Sequence, residues 1–268
     1  MNEIQSKDLA KLVKNFYYHR ALLCERLINT SVEDHYNPVA NYYLDAYVIS
    51  CAAIDGLASI WESMSQIQNQ NRFAEFLIYI DKINNSLNKS EKSLERMQRV
   101  CTPFLFFELN RQEYEEEFAN EIQDRWLQCH SVLSDPTVKE IEEIYQSCYE
   151  NHPKIESKRL NNVEQELKRF RYASLIYKFH RCSFIHEFRS SEYTVFFNKE
   201  EEISVRKFKG YHQSFPQLDV GIGVLIRTIK QGADLVFDLI VDSGYTNIPY
   251  SPDDLKFQKP KKASKKKK

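Results

Sequence analysis

The sequence predicts an all-α chain: a helical bundle with a helical insertion, and a small β-hairpin after the helix that carries its most distinctive motif. Three observations carry that prediction. Only six glycines and eight prolines punctuate 268 residues, and Gly56 is the sole glycine before Gly210. Apolar residues recur at three- and four-residue spacing through most of the chain, as on helix faces turned toward a core. Hydrophobic residues make up 42% and aromatic residues 13%, enough to fill the interior of one domain.

Residues 7–29 read as a first helix. Pro38 opens a second and longer one, whose Tyr43, Ala46, Tyr47, Ala53, Ile54, Leu57, Ile60 and Trp61 follow i, i+3, i+4, i+7 spacing. Residues 71–150 read as a separate helical insertion made of "NRFAEFLIYIDKINN", "EYEEEFANEIQDRWLQCH" and "TVKEIEEIYQSCYE", broken near Pro103 and Pro136. A long helix is expected over 155–188. The segment "YTVFFNKEEEISVRKFK" (193–209) alternates well enough to predict a hairpin around an acidic turn. A last helix over 217–243 places Ile222, Leu225, Ile229, Ala233, Val236, Phe237 and Ile240 on one face. One domain over 1–250 is expected, followed by a basic, disordered tail over 251–268.

Charge is unevenly spread. The final "KFQKPKKASKKKK" holds eight lysines and no acid, so removing it from a total of −1 leaves −9 on residues 1–255. Such a tail suits sequence-independent attraction to nucleic acid or an anionic surface, or a purely solubilising role. Six scattered cysteines (24, 51, 101, 129, 148 and 182) show no Cys-x-x-Cys pair. Neither a zinc site nor a disulfide framework is expected, and a reducing cytoplasm is the natural setting. The N-terminus lacks an apolar signal core, and Asp45 and Asp55 interrupt the most apolar stretch, 43–61, so no membrane association is expected.

The 155–188 helix carries two stripes. Leu167, Phe170, Ser174, Tyr177, Arg181 and Phe184 form one; Leu175, Phe179, Cys182 and His186 form the other. Arg181 therefore stands among aromatic and aliphatic neighbours. It cannot shed its charge, so it requires an anion, either a carboxylate or a phosphate. Asp55, inside the apolar face of the second helix, is the best internal candidate. On an α-helix Arg181 and His186 lie about 140° apart, from 3.6 residues per turn. One copy then cannot focus both on one atom, whereas two copies about a two-fold axis can pool two of each, so a homodimer is expected. The same spacing recurs at Arg125 and His130, where an amphipathic surface helix explains it.

"Y-x-x-x-R-C-S-F-I-H-E-F-R", residues 177–189, resembles the Arg-x4-6-His signature of HEPN domains, which are α-helical bundles. "NYYLDAYVISCAAIDGLASIWE" is similar to that family's early helix, with Asp55 as its acidic residue. The resemblance covers 35–70 and 155–245. Cys182 follows the arginine where the family often has a polar residue, and Phe188 stands where some members carry a modified tyrosine, with Tyr193 nearby.

The resemblance implies an HEPN-like fold and a metal-independent endoribonuclease without cofactor, in toxin–antitoxin, abortive-infection or other anti-phage defence. Arg181 and His186 are its catalytic residues, with Asp55, Ser183 and Glu187 in support. Histidine can act as base or acid near neutral pH, and a planar guanidinium matches phosphate oxygens. RNA (tRNA, rRNA or mRNA) would be cleaved by its own 2′-OH, leaving a 2′,3′-cyclic phosphate. Lys178, Arg189, Arg206 and Lys207 are weaker candidates for touching the RNA backbone. Partners would be RNA, a second copy of the chain, and an antitoxin or defence protein. The rival reading is a catalytically inactive module of the same shape that binds a protein or a nucleotide, which the acidic body favours.

Overall fold

The computed structural model describes residues 6–30, 42–65, 71–87, 96–110, 116–127, 132, 134–149, 163–187, 191–195, 202–209 and 214–244. The expected disordered tail lies outside these residues, as do the start of the expected 155–188 helix, Arg189 and His130.

Helices dominate. In chain order they are α1 (Ser6–Asn29), α2 (Tyr43–Ser65), α3 (Arg72–Leu87), α4 (Thr102–Leu109), α5 (Glu116–Ile122) running into a π-type turn (Gln123–Leu127), α6 (Val138–Tyr149) and α7 (Val163–Lys168). Then come α8 (Tyr172–Ile176), prolonged by π-type turns over Tyr177–Arg181 and Ser183–Glu187, and α9 (Ile222–Ser243). Between α8 and α9 lie β1 (Thr194–Val195), β2 (Ile203–Lys209) and β3 (Ser214–Val220).

The periodic apolar faces do what periodicity predicts. Tyr47, Ile54, Leu57 and Ile60 of α2 are buried together with Leu225, Ile229, Ala233 and Val236 of α9 and Leu9, Val13 and Tyr17 of α1. Phe73, Phe76, Leu77 and Ile80 of α3 complete this main core. Two polar clamps fix α1 on α9. Asp234 takes the Tyr18 hydroxyl at 2.8 Å and Lys14 Nζ at 2.6 Å, while Lys230 Nζ meets Glu25 Oε1 at 2.6 Å. By length and hydropathy alone α2 is long and apolar enough to cross a membrane, and 56% of its most apolar 18-residue stretch is buried inside the protein.

A second core gathers Val100, Leu105 and Leu109 with Phe118, Ile122, Ile141, Tyr145, Tyr149, Val163 and Leu167. The block read as one insertion, 71–150, thus divides: α3 packs into the main core, whereas α4–α6 share the second core with α7. Asp135 ties the two cores together. Fully buried, it accepts from Thr102 Oγ1 at 2.6 Å and from the Tyr172 hydroxyl at 2.5 Å.

Three expectations are corrected. The long helix breaks at 169–171, because the backbone there pairs across the chain: Cys101 N donates to Phe170 O at 2.9 Å and Tyr172 N to Arg99 O at 3.1 Å. Residues 217–220 are strand, not helix. The strands read as a hairpin over 193–209 do not pair with each other. β3 lies between them, parallel to β1 and antiparallel to β2, so the hairpin is β2–β3 (203–220). Burial explains β3: Leu218 and Val220 are fully buried, and the Tyr47 hydroxyl reaches Val220 O at 2.5 Å.

Candidate functional site

Buried residues on α8 and its continuation come in pairs: Tyr172/Ala173, Leu175/Ile176, Phe179/His180 and Ser183/Phe184. The last three pairs repeat every four residues, more slowly than the 3.6 of an α-helix. A straight α-helix would rotate the later pairs out of the core. Wider turns hold them in it, and Cys182 N accordingly donates to Tyr177 O, a bond spanning five residues. Phe184 ends up against Tyr47, ring centroids 5.2 Å apart, and His180 is stacked on Tyr47 at 5.8 Å.

The same wide turns decide the geometry of the motif. Residues five apart come onto one face, and Arg181 Nη1 lies 2.8 Å from His186 Nε2. The α-helical arithmetic that separated the two groups, and required a second copy to reunite them, is overturned. A guanidinium only donates, so Nε2 is the acceptor in this contact.

Arg181 Nη2 donates to Asp55 Oδ2 at 3.0 Å, the partner its place on an apolar stripe called for. Burial works against the charge of Arg181, but the hydrogen bond and charge of Asp55 outweigh it and raise its pKa. The guanidinium also lies over the Tyr177 ring, 5.5 Å from its centroid. Burial, followed by the adjacent Cys182 thiol, pushes the Tyr177 phenol up.

A cleft of about 180 Å³ opens beside this group, lined by Asp55, Glu62, Asn71, Arg72, Phe73, Tyr177 and Arg181. Arg72 escaped the sequence reading. At the first position of α3, just after Asn71 whose Oδ1 caps Ala74 N at 3.2 Å, it resembles any solvated arginine. Its Nε lies 3.5 Å from Asp55 Oδ1.

The remaining sequence candidates are dispersed. Ser183 is buried and Glu187 exposed at the end of the motif turns. Lys178 is exposed, its Nζ 5.0 Å from the centroid of the Phe179 ring. Arg206 is tethered to the buried Asp219 at 2.6 Å, and Lys207 is exposed beside it on β2. Arg125 pairs with Glu121 at 2.8 Å on the surface. Among the described residues no group of three His, Cys, Asp or Glu side chains is placed to hold a metal ion. No protein-family model, curated protein or solved structure matches the chain.

Proposed function

We propose that this chain is a metal-independent endoribonuclease of the HEPN type, a toxin or defence effector whose site is built on Arg181 and His186. The observation that carries this reading is the 2.8 Å approach of His186 Nε2 to Arg181 Nη1, Arg181 itself lining a cleft, with the pair held by π-type turns. Such turns are rare and are found frequently at functional sites.

Each group has a task. His186 is exposed, and takes the 2′-OH proton through Nε2 once Arg181 turns to the substrate. Arg181 then meets the phosphorane, where negative charge accumulates in the transition state. Until the substrate arrives, Asp55 holds the guanidinium at the cleft. One imidazole cannot take one proton and deliver another at the same moment. Among the described residues no histidine lines the cleft itself and His186 only touches Arg181 at its edge, and we infer that a second copy of the chain supplies the acid for the 5′-oxygen. RNA incubated with the protein in EDTA should acquire 2′,3′-cyclic phosphate ends, identified by mass spectrometry. Fragments ending in 3′-hydroxyls would contradict the reading.

A second reading has its own support. Arg181 already pairs with both Asp55 and His186, and the four charges lining the cleft (Asp55, Glu62, Arg72 and Arg181) cancel. A catalytically inactive helical module that binds a protein or a nucleotide needs nothing more. Silence toward RNA, with a bound partner, is its expected result.

A further inference from the structure

The cleft holds a guanidinium that the chemistry above leaves unused. Arg72 reaches it from α3 and Arg181 from the turns after α8, while the carboxylate between them comes from α2. Arg72 Nε takes Asp55 Oδ1 at 3.5 Å, and Arg181 Nη2 takes Oδ2 at 3.0 Å. Arg72 also extends Nη1 toward Glu62 Oε2 at 3.8 Å. The two arginines differ in freedom: the Arg72 side chain is 42% exposed, that of Arg181 only 16%.

One carboxylate bridged by two planar donors occupies the kind of place a phosphate takes, since guanidinium forks match both anions. We propose that Arg72 and Arg181 form a single seat for a phosphate group, with Asp55 as its built-in counter-ion. When a phosphate enters, it takes the Arg181 edge facing the cleft, and Asp55 passes to Arg72. Arg72 is thus a positioning residue. It draws the competing carboxylate away from the guanidinium that must face the substrate, and its exposed side chain has the room to follow. That the phosphate belongs to an RNA phosphodiester rests on the function proposed above; the seat itself rests on the two arginines and the cleft.

The roles of the four charges then separate. Without Arg72, Asp55 has Arg181 alone to pair with and competes harder for it. Without the charge on Asp55, both guanidiniums are open to the ligand. Glu62 acts in the same sense as Asp55 but more weakly, because it meets Arg72 at the longer range of 3.8 Å.

The test is calorimetric titration of the full-length protein with inorganic phosphate, with thermal melts to confirm folding. From the strength of charge-assisted pairs, Arg72→Ala and Arg181→Ala should each weaken phosphate about tenfold, and Asp55→Asn should tighten it about tenfold. Glu62→Gln should tighten it by less, and it carries that arm of the test if Asp55→Asn does not fold. Phosphate affinity indifferent to Arg72→Ala, or weakened by both acid-to-amide changes, overturns the proposal. RNA cleavage is assayed in parallel. Cleavage with phosphate binding blind to Arg72 sinks the seat and leaves the nuclease, whereas the expected binding pattern without cleavage sinks the nuclease and leaves the seat.

Discussion

Arg181 and His186 stand five positions apart in sequence, and their nitrogens meet at 2.8 Å. Arg181 holds Asp55 at the same time, with its other terminal nitrogen. A lysine's single ammonium at the end of a flexible stem cannot reproduce that fork. Arg181→Lys should therefore keep the charge yet lose about 100-fold or more in single-turnover RNA cleavage, the scale of one lost transition-state donor. Near wild-type cleavage would mean that only charge matters at this position.

The contact of the Tyr172 hydroxyl with Asp135 joins the start of α8 to the segment between the two cores. Both residues are fully buried. Tyr172→Phe leaves the carboxylate short of a donor where water cannot replace it, and should destabilise the fold by about 1–3 kcal/mol in urea unfolding. An unchanged midpoint would show that the Thr102 hydroxyl suffices.

α9 crosses α2 and α3 at Gly232. A Cβ there would lie 2.8 Å from Phe76 Cζ and 3.1 Å from Leu57 Cδ1. Both neighbours are fully buried, so neither has room to retreat. Gly232→Ala gains helix propensity but overpacks the core, and should cost about 1–3 kcal/mol net by thermal or urea unfolding. A stabilised variant would show that the helices can part at no cost.

His180, next to Arg181 but facing the core, is fully buried between Tyr47 and Phe184, and neither ring nitrogen has a hydrogen-bond partner in the structure. Burial lowers its pKa to about 3. The unfolded chain binds this proton near pH 6.5, while the folded chain resists it down to about 3. Between those values the unfolded state holds more protons, so stability falls as the pH falls, by up to about 1.4 kcal/mol per pH unit. His180→Phe removes that contribution. Urea unfolding at pH 7 and pH 5 should show a smaller acid loss for the variant; an identical loss in both proteins would assign the acid sensitivity to other groups.

Much of this was legible in the sequence, for identifiable reasons. The faces of α1, α2 and α9 follow the 3.6-residue period, and burial respected it. The pairing of Asp55 with Arg181 was legible because an unpaired charge on an apolar face is costly, and each charge stood on such a face. The π-type turns were harder, since their trace is a drift of buried pairs to four-residue spacing after Leu175/Ile176. The break at 169–171 depends on residues 99–101, far away in sequence. β3 was hidden because its second half, "QLDV" (217–220), adjoins a strongly periodic helix and passed for its first turn. Arg72 carried no local signal, its meaning coming only from the two carboxylates brought to it by α2.

One comparison decides whether the Arg181–His186 pair is a working site. Purified wild type, Arg181→Ala and His186→Ala are incubated with RNA in EDTA at matched concentration and matched folded fraction. Wild type should cleave, and each variant should fall by about 100- to 10,000-fold, the range expected for a lost acid–base group or charge stabiliser. Equal cleavage by all three proteins would place the activity elsewhere and leave the pair as a structural ion network.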